Sequence, residues 1–320
     1  MLPPGTRLYE DVNRVFNELG PTPQLCIDYS HSRHRIKQYK QDVQEAISKL
    51  TADKLERLLE ETSSLTMDEV SHKICLISRQ DRENVYSSPV VSPITSLIKS
   101  RLASRFRKLE RGEQIRLYKY LSKVPDLRAT AGIFFEAAAQ GCLQDGVTLE
   151  LLPMVRLPPS QRKGKPQWYS SHISLPNATL EAARQEALKN RQPFNIPKNL
   201  PVVEYTDDGP SSIESNTIYL PEWTNQVALN SFILMNDLLY IFQFSVDSVH
   251  DIKPGLIDFI RKCYGSPSMD KCRFVFIHPP NHTLICPQPR KLEMQELHPC
   301  SAALDFDKLP SLNQLQYICS

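Results

Sequence analysis

Val227-Ala-Leu-Asn-Ser-Phe-Ile-Leu-Met-Asn-Asp-Leu-Leu-Tyr-Ile-Phe-Gln-Phe-Ser-Val246 is the stretch on which the fold turns. Two apolar runs, Val227 to Met235 and Leu238 to Val246, are parted by Asn236-Asp237 alone. Asn and Asp tolerate the left-handed backbone that a two-residue turn demands, so the segment reads as two strands folded into a hairpin. Asn230, Asn236 and Asp237 also break the apolar length, which excludes a membrane-spanning helix. Downstream, Pro254 to Cys263 reads as a helix with proline in its first turn, and Cys272 to His278 as a buried strand stopped by Pro279-Pro280. Upstream, Glu214 to Pro221 is a strand around Ile218, Tyr219 and Leu220, Ala178 to Lys189 a short helix, and Pro158 to Lys165 an exposed basic turn. Val147 to Val155 is a further strand and Thr130 to Leu143 a helix. Helix, strand, strand pair, helix and strand follow one another, which gives the order αβββαβ.

Before about Gln144 the spacing is helical. Leu8, Val12, Val15, Phe16 and Leu19 recur at three and four, and Gly20-Pro21 stops that helix. Lys37 to Leu50 and Ala52 to Glu61 are further helices, the second capped by Thr51. His72 to Ser78 is β-like, Ser87 to Pro93 is a loop kept extended by two prolines, and Ile94 to Leu121 is one long helical region. The class is therefore α+β: a helical amino-terminal region followed by an α/β domain.

Composition narrows the function by exclusion. The 320 residues hold 25 Pro and only 10 Gly, which counts against glycine-rich nucleotide-binding folds. Lys and Arg number 38 against 36 Asp and Glu, so a net charge of +2 supplies no global attraction to nucleic acid or membrane. The eight cysteines show no C-x-x-C pair and read as reduced thiols. The opening MLPPGTRLYEDV has no basic and then apolar signal region, so a cytoplasmic or nuclear, soluble protein is expected.

Several motifs can be dismissed on chemistry. Gly141-Cys-Leu-Gln-Asp-Gly146 has phosphate-loop glycine spacing, but Val147-Thr148 follow where a lysine is needed. Neither G-x-S-x-G nor H-E-x-x-H occurs, and His278 and His282, flanking a Pro-Pro-Asn turn, are expected to be exposed. No metal-ligating set is read. In the basic run, Arg101, Arg105, Lys108 and Arg116 fall near one face if the segment is a single helix. That face suits a phosphate backbone, or else is merely the solvated side opposite the leucines.

The αβββαβ order resembles the core of the PD-(D/E)xK nuclease superfamily. The resemblance implies a hairpin whose acidic residues hold Mg²⁺, with a lysine beside them. Alternate residues of a strand face the same way, so the positions before and after the middle residue point at the metal together. Here the corresponding positions are Asn230 on the first strand and Gln243-Phe244-Ser245 on the second, with Glu136 on the preceding helix and Lys253 beyond the hairpin. Asp247 and His250 could join them. The plainer alternative is a buried hairpin in which Asn and Gln satisfy backbone groups.

A second resemblance rests on wording. Leu220-Pro-Glu-Trp-Thr-Asn-Gln-Val-Ala-Leu-Asn-Ser-Phe-Ile233, Leu239-Tyr-Ile-Phe-Gln-Phe-Ser245 and His250-Asp-Ile-Lys-Pro-Gly-Leu256 resemble the carboxy-terminal module of the fungal family related to Crinkler effectors and trypanosome retrotransposon hot spot proteins. Members pair a P-loop ATPase with a PD-(D/E)xK-like domain, and tend to carry Asp where this chain has Asn230 and Thr where it has Ser245. The helix Leu8 to Leu19 with Gly20-Pro-Thr-Pro-Gln-Leu-Cys-Ile27 is similar to the lid that ends the family's ATPase domain, with Gln24 in place of an arginine. The resemblance implies a lid remnant over 1–36, a helical region over 37–128 and a nuclease-like domain over 129–320, the ATPase motifs falling before Met1. It implies a non-catalytic or weakly catalytic protein that acts by binding, with DNA, RNA or an ATPase-bearing paralogue as partner and no cofactor. The alternatives are a Mg²⁺-dependent DNA nuclease and a protein-interaction module.

Overall fold

A computed structural model describes residues 7–20, 26, 32–54, 73–79, 89–123, 128–156, 167–175, 177–206, 209–221, 229–253, 255–263, 265–287 and 298–309. The basic turn expected over Pro158 to Lys165, and most of the helix expected over Ala52 to Glu61, lie outside these residues. The chain divides between Ala138 and Ala139 into two compact units.

The first unit is helical, with one small sheet. α1 (Arg7–Leu19) and α2 (Arg33–Ser48) precede a two-stranded antiparallel ribbon, β1 (Cys75–Arg79) and β2 (Pro89–Pro93). The stretch expected to be an extended loop is thus a paired strand. Its two prolines stand at its ends, where a missing N–H costs the ladder least. α3 (Ser96–Arg107), α4 (Arg111–Ser122) and α5 (Arg128–Gln144) complete the helices. Thr95 caps α3 by accepting from the Ile98 N–H at 3.2 Å, and the Thr51 hydroxyl accepts from Lys54 N–H at 3.2 Å as a cap should. The expected single helix over Ile94 to Leu121 is broken at Lys108–Glu110. Gln114, 2% exposed, turns its Nε2 back onto the carbonyls of Phe106 (2.7 Å) and Leu109 (3.1 Å), satisfying acceptors that a continuous helix would have satisfied itself. Val43, Ile47, Ile74, Ile98, Leu117 and Phe134 form the centre of this unit's core.

The second unit is built on a mixed sheet. β3 (Val147–Pro153), β4 (Gln167–Tyr169), α6 (Ala178–Lys189), β5 (Gln192–Ile196), β6 (Val202–Tyr205), β7 (Ile218–Pro221), β8 (Ser231–Met235), β9 (Leu238–Phe244), α7 (Gly255–Lys262), β10 (Cys272–His278), β11 (Ile285–Pro287) and β12 (His298–Ala303) follow in order. Eight strands lie in the order β5-β3-β12-β10-β9-β8-β7-β6, while β4 and β11 pair separately. Gly146, at φ +81°, makes the sharp exit from α5 into β3, so the glycine pair at Gly141 and Gly146 serves a helix-to-strand turn.

The β8–β9 hairpin forms as its sequence indicates. Asn236 and Asp237 both adopt positive φ, 51° and 60°, and Ser231 to Met235 pair antiparallel with Phe242 to Leu238. α7 then carries the chain back to β10, parallel to β9. Leu256, Ile257 and Ile260 of α7 pack in one core with Phe232, Leu239, Ile241, Phe274 and Phe276, residues that the register places on a single sheet face. The strand flanking the hairpin is β7, antiparallel to β8. The strand read from the sequence over Val147 to Val155, which precedes the hairpin in the αβββαβ order, is β3 and lies beyond β12, with β12 and β10 between it and the hairpin.

On the other face the sheet curls. Phe194 of β5 stacks on Tyr240 of β9, ring centroids 4.1 Å apart, although three strands separate β5 from β9 in the sheet order. Along β3, Val147, Leu149 and Leu151 are buried while Thr148 and Glu150 are exposed, so this arm has one wet face and one lining the concavity.

Candidate functional site

The hairpin's base brings Asn230 and Gln243 together, as their shared face requires. Asn230 is 6% exposed. Its Oδ1 accepts from Gln243 Nε2 at 2.5 Å and from the Phe244 N–H at 2.8 Å. Its backbone is held on both sides, the N–H donating to Phe242 O at 3.0 Å and the carbonyl accepting from Gln140 Nε2 at 3.1 Å. Each amide oxygen has two lone-pair directions, and those of Asn230 Oδ1 are both engaged by N–H groups. These residues do not fit a Mg²⁺ site. A hard cation needs anionic or uncommitted oxygens, and here the central oxygen serves the fold while Gln243 turns a donor towards it.

Ser245 follows at the end of the same strand, its N–H donating to Ile277 O at 3.0 Å. Its hydroxyl accepts from the Asp247 N–H at 3.1 Å and lies 3.5 Å from His250 Nδ1, the outer limit of a hydrogen bond. Burial lowers the His250 pKa, with Asp247 and Asp251 raising it and Lys253 lowering it. Lys253 is exposed and reaches this group through its charge on His250. His250 Nε2 is buried and makes no hydrogen bond. A nucleophilic pair needs a carboxylate orienting the far side of the ring, and none accepts there. Glu136 belongs to the first unit, on the part of α5 before Ala138.

The carboxyl end of β10 gathers three further histidines, two of which, His278 and His282, the sequence placed at the surface. His278 is fully buried, because it is the last residue of a strand flanked on both sides rather than the first of the following turn. Its Nδ1 donates to Pro279 O at 2.8 Å, and its ring lies 5.0 Å from that of His172 and 6.2 Å from that of His282. His172 Nε2 donates to Ser301 O at 2.9 Å. Among the described residues no three His, Cys, Asp or Glu side chains come together as a metal-binding group.

The basic run lies in the first unit, split between two helices. Arg101 and Arg105 are on α3, Lys108 is the residue that ends it, and Arg116 is on α4. Arg101 spends its Nη1 on Lys40 O at 3.2 Å, and Arg116 pairs with Asp53 at 2.9 Å, while Lys108 is exposed. The helix break removes the common face that a continuous helix would give these four.

A cavity of about 620 Å³ lies at the opposite end of the second unit's sheet, where β9, β10 and β12 begin. Sequence reasoning did not find it. Its walls come from strands distant along the chain, and only the curl of the sheet brings them together.

No protein-family model matches the chain, and neither a curated protein nor a solved structure matches it. No helix among the described residues is long and apolar enough to cross a membrane.

Proposed function

We propose that this chain is a non-catalytic binding protein on a nuclease-like scaffold, with DNA or RNA as the partner that the family resemblance implies. The observation that carries the first part is the Asn230 amide: its oxygen takes two N–H donors at the place where the PD-(D/E)xK resemblance expects a metal-bound carboxylate. The succession β7, β8, β9, α7, β10 supports the scaffold, being an antiparallel meander followed by a helix and a parallel strand. The sequence likeness over Leu220 to Leu256 favours the Crinkler and retrotransposon-hot-spot-like proteins as its relatives, and an ATPase-bearing paralogue as a further partner.

Two measurements test this together. Supercoiled plasmid incubated with the chain and Mg²⁺ is expected to be nicked no faster than with the Gln243→Ala variant; wild-type cleavage lost in the variant makes the chain a nuclease. Retention on labelled duplex DNA is expected to weaken as salt rises, and Lys108→Ala is expected to lower the slope of log affinity against log salt by about one. Salt-insensitive or absent retention leaves a protein-interaction module.

A further inference from the structure

The cavity at the amino ends of β9, β10 and β12 has the construction of a ligand site. Register explains its lining: Tyr240, Arg273 and His298 are direct neighbours across three strands, so their side chains stand on one face. Cys300 and Pro153 continue that face onto β3, and Leu151 faces Gln192 on β5. Floor and rim differ in chemistry. Leu151, Met154 and Trp168 are buried beneath it, Trp168 only 4% exposed, while Arg156, Asn190, Gln192 and His298 are exposed around it. Small-molecule sites occupy about 300–1,000 Å³ and combine an apolar floor with a few polar groups, and a volume of about 620 Å³ falls within that range.

Charge selects the ligand class. Arg156 and Arg273 line the cavity and no carboxylate does among the described residues. Arg273 is held in place, the two N–H groups of its Nη1 donating to the carbonyls of Asp270 at 2.7 Å and Cys272 at 3.0 Å, so the guanidinium stands fixed at the wall and its Nε–Nη2 edge is the part that suits a bidentate contact. The charge of Asp270 also reaches Arg273 and offsets part of it, leaving Arg156 as the second cation. Tyr240 is seated on Phe194 and so costs little to order when a ring meets it.

We propose that this cavity binds an organic phosphate bearing a flat ring, of mononucleotide size, with the ring over the Trp168, Tyr240 and Leu151 floor and the phosphate between Arg156 and Arg273. The site stands apart from the hairpin and does not depend on how the hairpin is read. Fork-shaped guanidinium donors match phosphate oxygens bidentately, and an aromatic face gains from stacking whatever the base.

The test is calorimetric titration of the full chain with adenosine 5′-monophosphate, with adenosine and inorganic phosphate as separate arms. Saturable one-to-one binding of the nucleotide is expected, at least tenfold tighter than either part. Arg156→Ala and Arg273→Ala are each expected to weaken it about tenfold or more, in line with hydrogen bonds to charged groups. Arg156 is exposed, so that variant keeps its fold even if the Arg273 variant does not. No saturation by 1 mM nucleotide, roughly −4 kcal/mol of binding, overturns the proposal. So does undiminished affinity in Arg156→Ala, or phosphate alone binding as tightly as the nucleotide.

Discussion

His278 carries a definite consequence for acid stability. It is fully buried, and burial, with the smaller influence of the His172 and His282 charges, pushes its pKa down to about 4. An unfolded histidine titrates near 6.5. Between those values the unfolded chain holds a proton that the folded chain lacks. The stability owed to neutral His278 is therefore complete above pH 6.5 and lost as pH falls towards 4, to a total of roughly 3 kcal/mol. His172 and His250, also lowered by burial, add to the slope. Urea unfolding at pH 7 and pH 4.5 is expected to show a smaller stability difference in His278→Gln than in the parent, and an equal difference would show that His278 takes up no proton on unfolding. The hairpin amides and His278 fared differently under sequence reasoning, for a physical reason. Asn230 and Gln243 share a face by strand alternation, so their meeting was legible. The exposure expected of His278 came from the turn signal of Pro279-Pro280, although His278 itself completes the strand before that turn.

At the scale of elements, the β8–β9 turn offers a clean measurement. Asn236 and Asp237 stand at φ 51° and 60°, where a side chain costs energy that glycine does not pay. Asp237→Gly completes the Asn-Gly sequence that this turn favours, and is expected to raise stability by about 0.5–1 kcal/mol in chemical denaturation. A fall would show that the Asp237 side chain holds the turn. Elements with strong local patterns were legible: the hairpin, the helix over Ala178 to Lys189, and β10. β12 was not, since His298-Pro-Cys-Ser-Ala-Ala303 carries few large apolar residues, yet it lies between β10 and β3. A central strand walled on both sides can be built from small residues, with Ser301 and Ala302 fully buried, and such a strand has no hydrophobic signature to read. Nor could chain order say that β7, and not β3, flanks the hairpin. That choice belongs to long-range pairing.

Across the whole molecule, two cores stand in two units, one centred on Ile47, Ile98 and Phe134 and one on Phe232, Ile241 and Phe274. Free thiols sample both. Cys26 lies in the first unit, and Cys263, Cys272, Cys286 and Cys300 lie in the second. Burial raises every one of these thiol pKa values, to about 11 for Cys263, Cys272 and Cys300 and about 12 for Cys286. Only the thiolate reacts with an alkylating agent, so at pH 8 protonation withholds all five sulfurs in the folded chain, and lack of access also withholds the four that are buried, Cys26, Cys263, Cys272 and Cys286. Labelling then requires opening, and the urea concentration at which each sulfur becomes reactive reports the unit that opened. A short iodoacetamide pulse across a urea series, read peptide by peptide in a mass spectrometer, is expected to place Cys263, Cys272 and Cys286 on one common curve, because the three sulfurs lie in one core. Cys26 is expected to follow a separate curve with its own midpoint. Scatter among the three would mean that this core does not open as one body. A shared midpoint for all four would mean that the two cores unfold together, and that the division at Ala138 is geometric without being energetic.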